Sequence, residues 1–206
     1  MSLLPWGQWP HAHCMKTRTL FLVAMTVVAM TAVALLAQTS AKFTSDGKLE
    51  FPADYREWIF LSSGKGMTYG PSANPNGPPM FDNVFVNPAA YREFMRTGVW
   101  PEGSTFILEV RRAITEGSIN KGGQYQSEIG GIEIEVKDSK RFAATKGWGF
   151  FDVPADRKPA ALLPATATCY SCHSQNGAVE QTFVQFYPTL IDVAKAHGTF
   201  REERAK

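Results

Sequence analysis

Acidic residues are missing from the first 41 positions of this 206-residue chain: all 19 Asp and Glu come later, and of the 21 Lys and Arg only Lys16 and Arg18 come earlier. The remainder is neutral, which excludes the basic footprint of a nucleic-acid binder. Charged residues make up 19% and neither glycine nor charge dominates, so collagen-like, coiled-coil and disordered classes are excluded as well. No repeat of fixed period is present. The length suits one domain with a real core and is short for two.

Charge is also absent from Thr19 to Ala41, where Leu20-Phe21-Leu22-Val23-Ala24 through Ala34-Leu35-Leu36-Ala37 forms an apolar run behind Lys16 and Arg18. That layout predicts a leader and secretory signal over residues 1–41, starting at Met15 and cut after Ala37 or Ala41. An uncleaved anchor is the alternative, since the run is just long enough to span a bilayer. The expectation is then a single domain over 42–206.

Within that domain, Gly, Pro, Ser and Asn crowd residues 62–80, which predicts a long loop. Asn83-Val84-Phe85-Val86 reads as a strand, and Pro88 to Arg96 as a short helix with Asn87 at its cap and Pro88 in its first turn. Ser104 to Arg112 is apolar enough for a partly buried strand. Ile132, Ile134 and Val136 alternate with Glu133, Glu135 and Lys137, the period of a strand with one wet face. Gly147 to Val153 is a further strand, and Pro188 to His197 a helix stopped by Gly198. Strands outnumber helices, giving a mainly β, α+β domain with an antiparallel sheet.

Cysteine is scarce, three in all. With Cys14 in the leader, two remain, and they stand in Cys169-Tyr170-Ser171-Cys172-His173. Cys-x-x-Cys-His is the attachment signature of c-type haem: two thiols reach the vinyl groups on one porphyrin edge, and the adjacent imidazole turns under the iron. Chance would produce such a run in about one chain in a thousand of this composition. A disulfide across two residues closes a tiny loop and stabilises little. A structural zinc site needs four ligands and finds no second pair here, and a redox pair wants a βαβ setting that is missing. One covalent haem, with His173 as iron ligand, is therefore expected, and export agrees, since c-type haem is attached outside the bacterial cytoplasm: a periplasmic protein. For the sixth iron position, His197, Met67, Met80 and Met95 are available, and none has a spacing that recommends it. An open or water-filled site is the favoured expectation.

Asp54-Tyr55-Arg56-Glu57-Trp58, Val84 to Pro88, Glu102-Gly103-Ser104, Val136 to Phe142, Gly147-Trp148-Gly149-Phe150, Leu163-Pro164, the Cys-x-x-Cys-His run and Phe183 to Pro188 occur in this order. In these blocks, over about residues 46–198, the chain resembles the cytochrome P-460 family. The resemblance implies a largely antiparallel β domain with one covalent haem, usually in a homodimer. It also implies one of two functional types: a hydroxylamine oxidase whose haem is cross-linked by a lysine, or a cytochrome c'-beta without the cross-link, five-coordinate and binding nitric oxide or carbon monoxide. Counting from Glu102-Gly103-Ser104 places Leu108 at the lysine position, ahead of Glu109. Arg111 and Arg112 are no substitutes, because guanidinium stays charged.

If Leu108 faces the haem, strand geometry turns Phe106 and Val110 the same way and Ile107, Glu109 and Arg111 the other. Such an apolar ceiling favours neutral diatomic ligands and offers no base for a multi-proton oxidation. Glu109 and Glu128 are candidate proton relays, with a solvated position as the plainer alternative, and Trp148 and Phe150 pack either on the macrocycle or in the core. Three functions compete: a binder of nitric oxide or similar ligands, a hydroxylamine-oxidising enzyme, and a six-coordinate electron carrier with a redox partner protein.

Overall fold

Runs of β-branched and aromatic residues, each ended by a turn, draw five strands from the chain: β1 (Ile59–Lys65), β2 (Met80–Val86), β3 (Thr105–Ile114), β4 (Tyr125–Lys137) and β5 (Trp148–Asp152). The computed structural model describes residues 41–69 and 77–205, and they fall within one compact unit. The expected leader over 1–41, with its start at Met15, lies outside the described residues but for Ala41. Among the described residues no helix is long and apolar enough to cross a membrane.

The strands pair in the order β1-β2-β3-β4-β5, every neighbour antiparallel, so the sheet is a simple meander. The expected α+β, mainly β class is what the structure shows. The loop expected over 62–80 is shorter than its composition suggested. Ser62, Ser63, Gly64 and Lys65 complete β1, pairing with Val84, Asn83, Asp82 and Phe81, and Met80 already belongs to β2. The partner strand supplies the ladder that Ser and Gly do not favour by themselves.

Among the described residues three α-helices follow or separate strands: α1 (Pro88–Thr97), α2 (Thr168–Asn176) and α3 (Pro188–Ala196). Pro88 starts α1 and Gly98 ends it at φ 69°, its N–H donating to the Phe94 carbonyl at 2.7 Å. Asn87 also ties α1 to the sheet, accepting from the Thr105 N–H at 2.9 Å.

Directly paired residues on adjacent strands point to one face, and the meander therefore has two. On one face Val86, Phe106, Trp148 and Phe150 meet Phe94 of α1, Tyr170 of α2 and Leu190 of α3. On the other, Phe85, Ile107, Ile134 and Phe151 pack under Leu49, Tyr55, Phe142 and Ala160 from the connecting segments. All three helices thus cover one face, and the candidate site lies there.

Candidate functional site

Helix α2, Thr-Cys-Tyr-Ser-Cys-His-Ser-Gln-Asn, is built from residues with little helical preference. Its carbonyl end is held by side chains, one of its own and three from outside. Asn176 Nδ2 donates to Cys172 O at 2.9 Å, Gln185 Nε2 to Asn176 O at 2.8 Å, Arg204 Nη1 to Ser174 O at 2.5 Å and Arg201 Nη2 to Gly177 O at 2.5 Å. Two of these donors are cations at the negative end of a helix dipole. Tyr170 anchors the buried side, its hydroxyl donating to Leu163 O at 3.1 Å and its ring meeting Phe150 at 4.8 Å.

Spacing then places Cys169, Cys172 and His173 on a common side of α2. Both thiols are free and partly exposed. Burial pushes the Cys169 thiol up, and Glu133 adds to the shift, so it is not the activated thiolate of a redox pair. The His173 ring is wedged between Phe150 and Phe183, with ring centres 4.5 and 4.4 Å away. Its Nδ1 lies 2.8 Å from the Gln181 carbonyl, which fixes that nitrogen as the N–H donor and leaves Nε2 with its electron pair. Gln181 is itself tied down, its Nε2 donating to Thr145 O at 3.1 Å. A second acceptor, Glu135 Oε1, lies 3.5 Å from Nδ1.

Next to α2 the helices leave part of the sheet uncovered. Its first row along the strands, Val86, Phe106, Glu135 and Phe150, is the one on which His173 packs. The second row is Val84, Leu108, Glu133 and Asp152, and the third Asp82, Val110 and Gly131. Phe106 is buried, whereas Val84, Leu108 and Val110 are only half-buried. Phe106, Leu108 and Val110 therefore do share a face, with Ile107 and Glu109 on the other.

That face is not the apolar ceiling expected from β3 alone. Leu108 pairs with Glu133 and Phe106 with Glu135, so the glutamates read as a wet face point toward α2. Glu135 is 8% exposed. Burial raises its carboxyl, while His173 pulls it back down. Glu133 reaches solvent but is hemmed in by protein, and that crowding, together with Asp152 opposite it, raises its carboxyl; His173 opposes the shift. Asp82 is likewise pushed up by burial, and Tyr69 stands within electrostatic reach of Asp82, Glu133 and Cys172. The signal missed in the sequence was on β3: Phe106-Ile107-Leu108 is apolar on both faces, so part of the charged side of the strand beside it, Glu135, is covered while Glu133 stays exposed.

The candidate relays Glu109 and Glu128 are placed elsewhere. Glu109, fully buried on the opposite face, accepts from Tyr55 at 2.5 Å, Arg56 at 2.8 Å, Arg111 at 2.6 Å and Asn83 at 3.2 Å. Burial would raise it, but those bonds, led by Arg111 and Tyr55, hold it at about 2. Glu128 is exposed beside Arg112 at 3.3 Å. Neither can exchange protons near His173.

The alternative sixth ligands are not brought to His173 either. Met80 is in the fourth row, three rows or about 20 Å along the strands from the row under His173, with its methyl against Gly130. The Met67 sulfur packs on Gly64, in the third row. His197 packs on Gly98 at the far ends of α1 and α3, and Met95 is exposed on α1. Trp148 and Phe150 are core residues whose rings also back the site.

These residues fit a haem. Two free thiols and an imidazole with Nδ1 held and Nε2 available share one helix, and the half-buried Val84 and Leu108 adjoin it, with Glu133 and Asp152 in the same row. Among the described residues no cluster of three or more His, Cys, Asp or Glu could hold a metal ion, so the fit is to a porphyrin and one imidazole and not to a protein-caged metal. A family model described as Cytochrome P460 matches residues 52–184, which include the whole site. No curated protein matches the chain.

Proposed function

The chain belongs to the cytochrome P460 family, a haem cytochrome, and from that premise we propose an exported mono-haem c-type cytochrome with an open iron position that binds nitric oxide or a similar small ligand and takes part in electron transfer. The observation that carries the proposal is the presentation of Cys169, Cys172 and His173 on one side of α2, with Nδ1 of His173 satisfied by Gln181. A bound haem supplies an iron that takes a diatomic ligand and exchanges an electron.

The chain's own residues set the rest. Cys169 and Cys172 provide two thioether anchors, His173 one axial nitrogen, and Phe150 and Phe183 keep the ring from turning. Val84 and Leu108 give the adjoining row an apolar half beside Glu133 and Asp152, and a neutral ligand fits against that half. Leu108 stands where the family's cross-linking lysine is expected, which favours the ligand-binding type. Met67, Met80, Met95 and His197 are all placed away from His173, which supports the open position. Periplasmic location and a homodimer, implied by the motif and the resemblance, complete the proposal.

Glu133 supports a second reading. Its carboxyl, raised by crowding and by Asp152 and set beside Leu108, is a group that can accept protons from a substrate such as hydroxylamine, so hydroxylamine oxidation is the alternative.

One experiment separates them. The ferrous protein is expected to show an ordinary c-type spectrum that shifts on adding carbon monoxide, with no hydroxylamine turnover. A spectrum unchanged by carbon monoxide overturns the open position, and turnover that Glu133→Gln abolishes establishes the enzyme. Replacing Cys169 and Cys172 together by Ala removes covalent haem, read by haem staining of the denatured protein, and leaves the far-UV circular dichroism of the sheet in place.

A further inference from the structure

Glu135 has no part in the function just proposed, yet it occupies a costly position. It lies near the C-terminal end of β4, flanked across the sheet by Phe106 and Phe150, and its side chain is 10% exposed. A carboxylate buried among aromatic rings is strongly unfavourable unless a partner compensates it. The nearest cation on its own strand face, Lys137, is already committed. Its ammonium lies 2.7 Å from Glu180 Oε2 and donates to the Trp100 carbonyl at 2.7 Å. Glu135 Oε1 has no hydrogen-bond partner among the described residues, and the polar group it faces is Nδ1 of His173, at 3.5 Å.

Nδ1 thus meets two acceptors, the Gln181 carbonyl at 2.8 Å and this carboxylate slightly further off. The two come from different parts of the chain and approach the same edge of the ring, opposite the nitrogen assigned to the iron. A carbonyl fixes the tautomer; a carboxylate in a low-dielectric setting also adds negative charge behind the ring.

We infer that Glu135 is a positioning residue for His173: its carboxylate shares Nδ1–H with the Gln181 carbonyl and makes the imidazole a stronger donor through Nε2. The inference rests on the reading of His173 as the iron ligand. A stronger axial donor with a buried negative charge behind it stabilises the oxidised iron relative to the reduced. The protein therefore holds its haem at a lower potential than the carbonyl alone would set.

The test uses the full haem-loaded chain with Glu135→Gln, which keeps the shape and removes the charge, and Glu135→Asp, which keeps the charge but sets it back by one methylene. Reduction potential is read by spectroelectrochemical titration, and the iron–histidine stretching band of the ferrous form by resonance Raman. The expected result is a potential that rises in the order wild type, Asp, Gln, with the band moving to lower frequency in the same order. A mere packing role would move neither, so a Gln variant that retains covalent haem with both readings unchanged overturns the inference. If the Gln variant does not retain haem, the Asp variant and the wild-type band decide: a band at the frequency of an imidazole backed by a neutral acceptor overturns it, and one raised toward imidazolate supports it. Wild-type protein that carries no haem would overturn the functional reading itself, an outcome distinct from haem present with potentials unmoved.

Discussion

Glu109 and Glu135 are both buried carboxylates of the central strands, on opposite faces of the sheet, and the fold treats them differently. Glu109 is surrounded by donors, two of them arginines, and is held at about 2. Because its folded value lies below the 4.5 of a free glutamate, its contribution is fully present above about pH 4.5 and is lost as the pH falls toward 2. That contribution is roughly 3 kcal/mol by linkage. Glu109→Gln should lower stability at pH 7 by about that much and flatten the acid limb between pH 4.5 and 2, as urea unfolding at a series of pH values would show. Equal stability of the two proteins at pH 7 would contradict this. Sequence spacing placed Glu109 on the face away from Leu108, but the residues that bind it, Tyr55, Arg56 and Asn83, come from distant segments and were not legible as its partners. Glu133 and Glu135 were legible only as alternating positions, since the period is the same whether the face meets water or a helix.

At the scale of elements, α2 shows how a motif can be plain in sequence while its helix is not. The residues Thr, Cys, Ser, His and Asn give little helical drive, and outside donors hold its carbonyl end. Gly177 closes the element. A Cβ there would lie 2.8 Å from the backbone of Gln181 and Thr182 and 2.9 Å from His173 O, so the segment that delivers the Gln181 carbonyl passes too close for any side chain. Its φ of −64° is ordinary, and the constraint is space alone. Gly177→Ala is expected to cost about 1 to 3 kcal/mol and to broaden the His173 environment, visible as a changed haem Soret band alongside the lower denaturation midpoint. An unchanged midpoint would mean that the segment yields freely. The strand β1 teaches the complementary lesson: Ser62-Ser63-Gly64 carries loop composition, and its strand conformation comes from pairing with β2.

At the scale of the molecule, one meander separates two cores, and only the core under the three helices borders the site. Phe94, fully buried in that core, and Phe142, 3% exposed in the other, share no partners across the sheet. Phe94→Ala and Phe142→Ala should each cost about 3 to 5 kcal/mol and add in the double variant to within about 0.5 kcal/mol, measured by chemical denaturation. A larger deviation would show that the sheet transmits repacking from one face to the other. The sequence by itself determined the antiparallel, mainly β class, the family and the Cys169, Cys172 and His173 triplet, because strand periodicity is local and a Cys-x-x-Cys-His run is contiguous. The tertiary structure alone decided that Glu133 and Glu135 face the site and that Gln181 and Glu135 converge on one nitrogen of His173. Those choices depend on which face the helices cover and on contacts between segments far apart in the chain, and nothing in a local pattern records either.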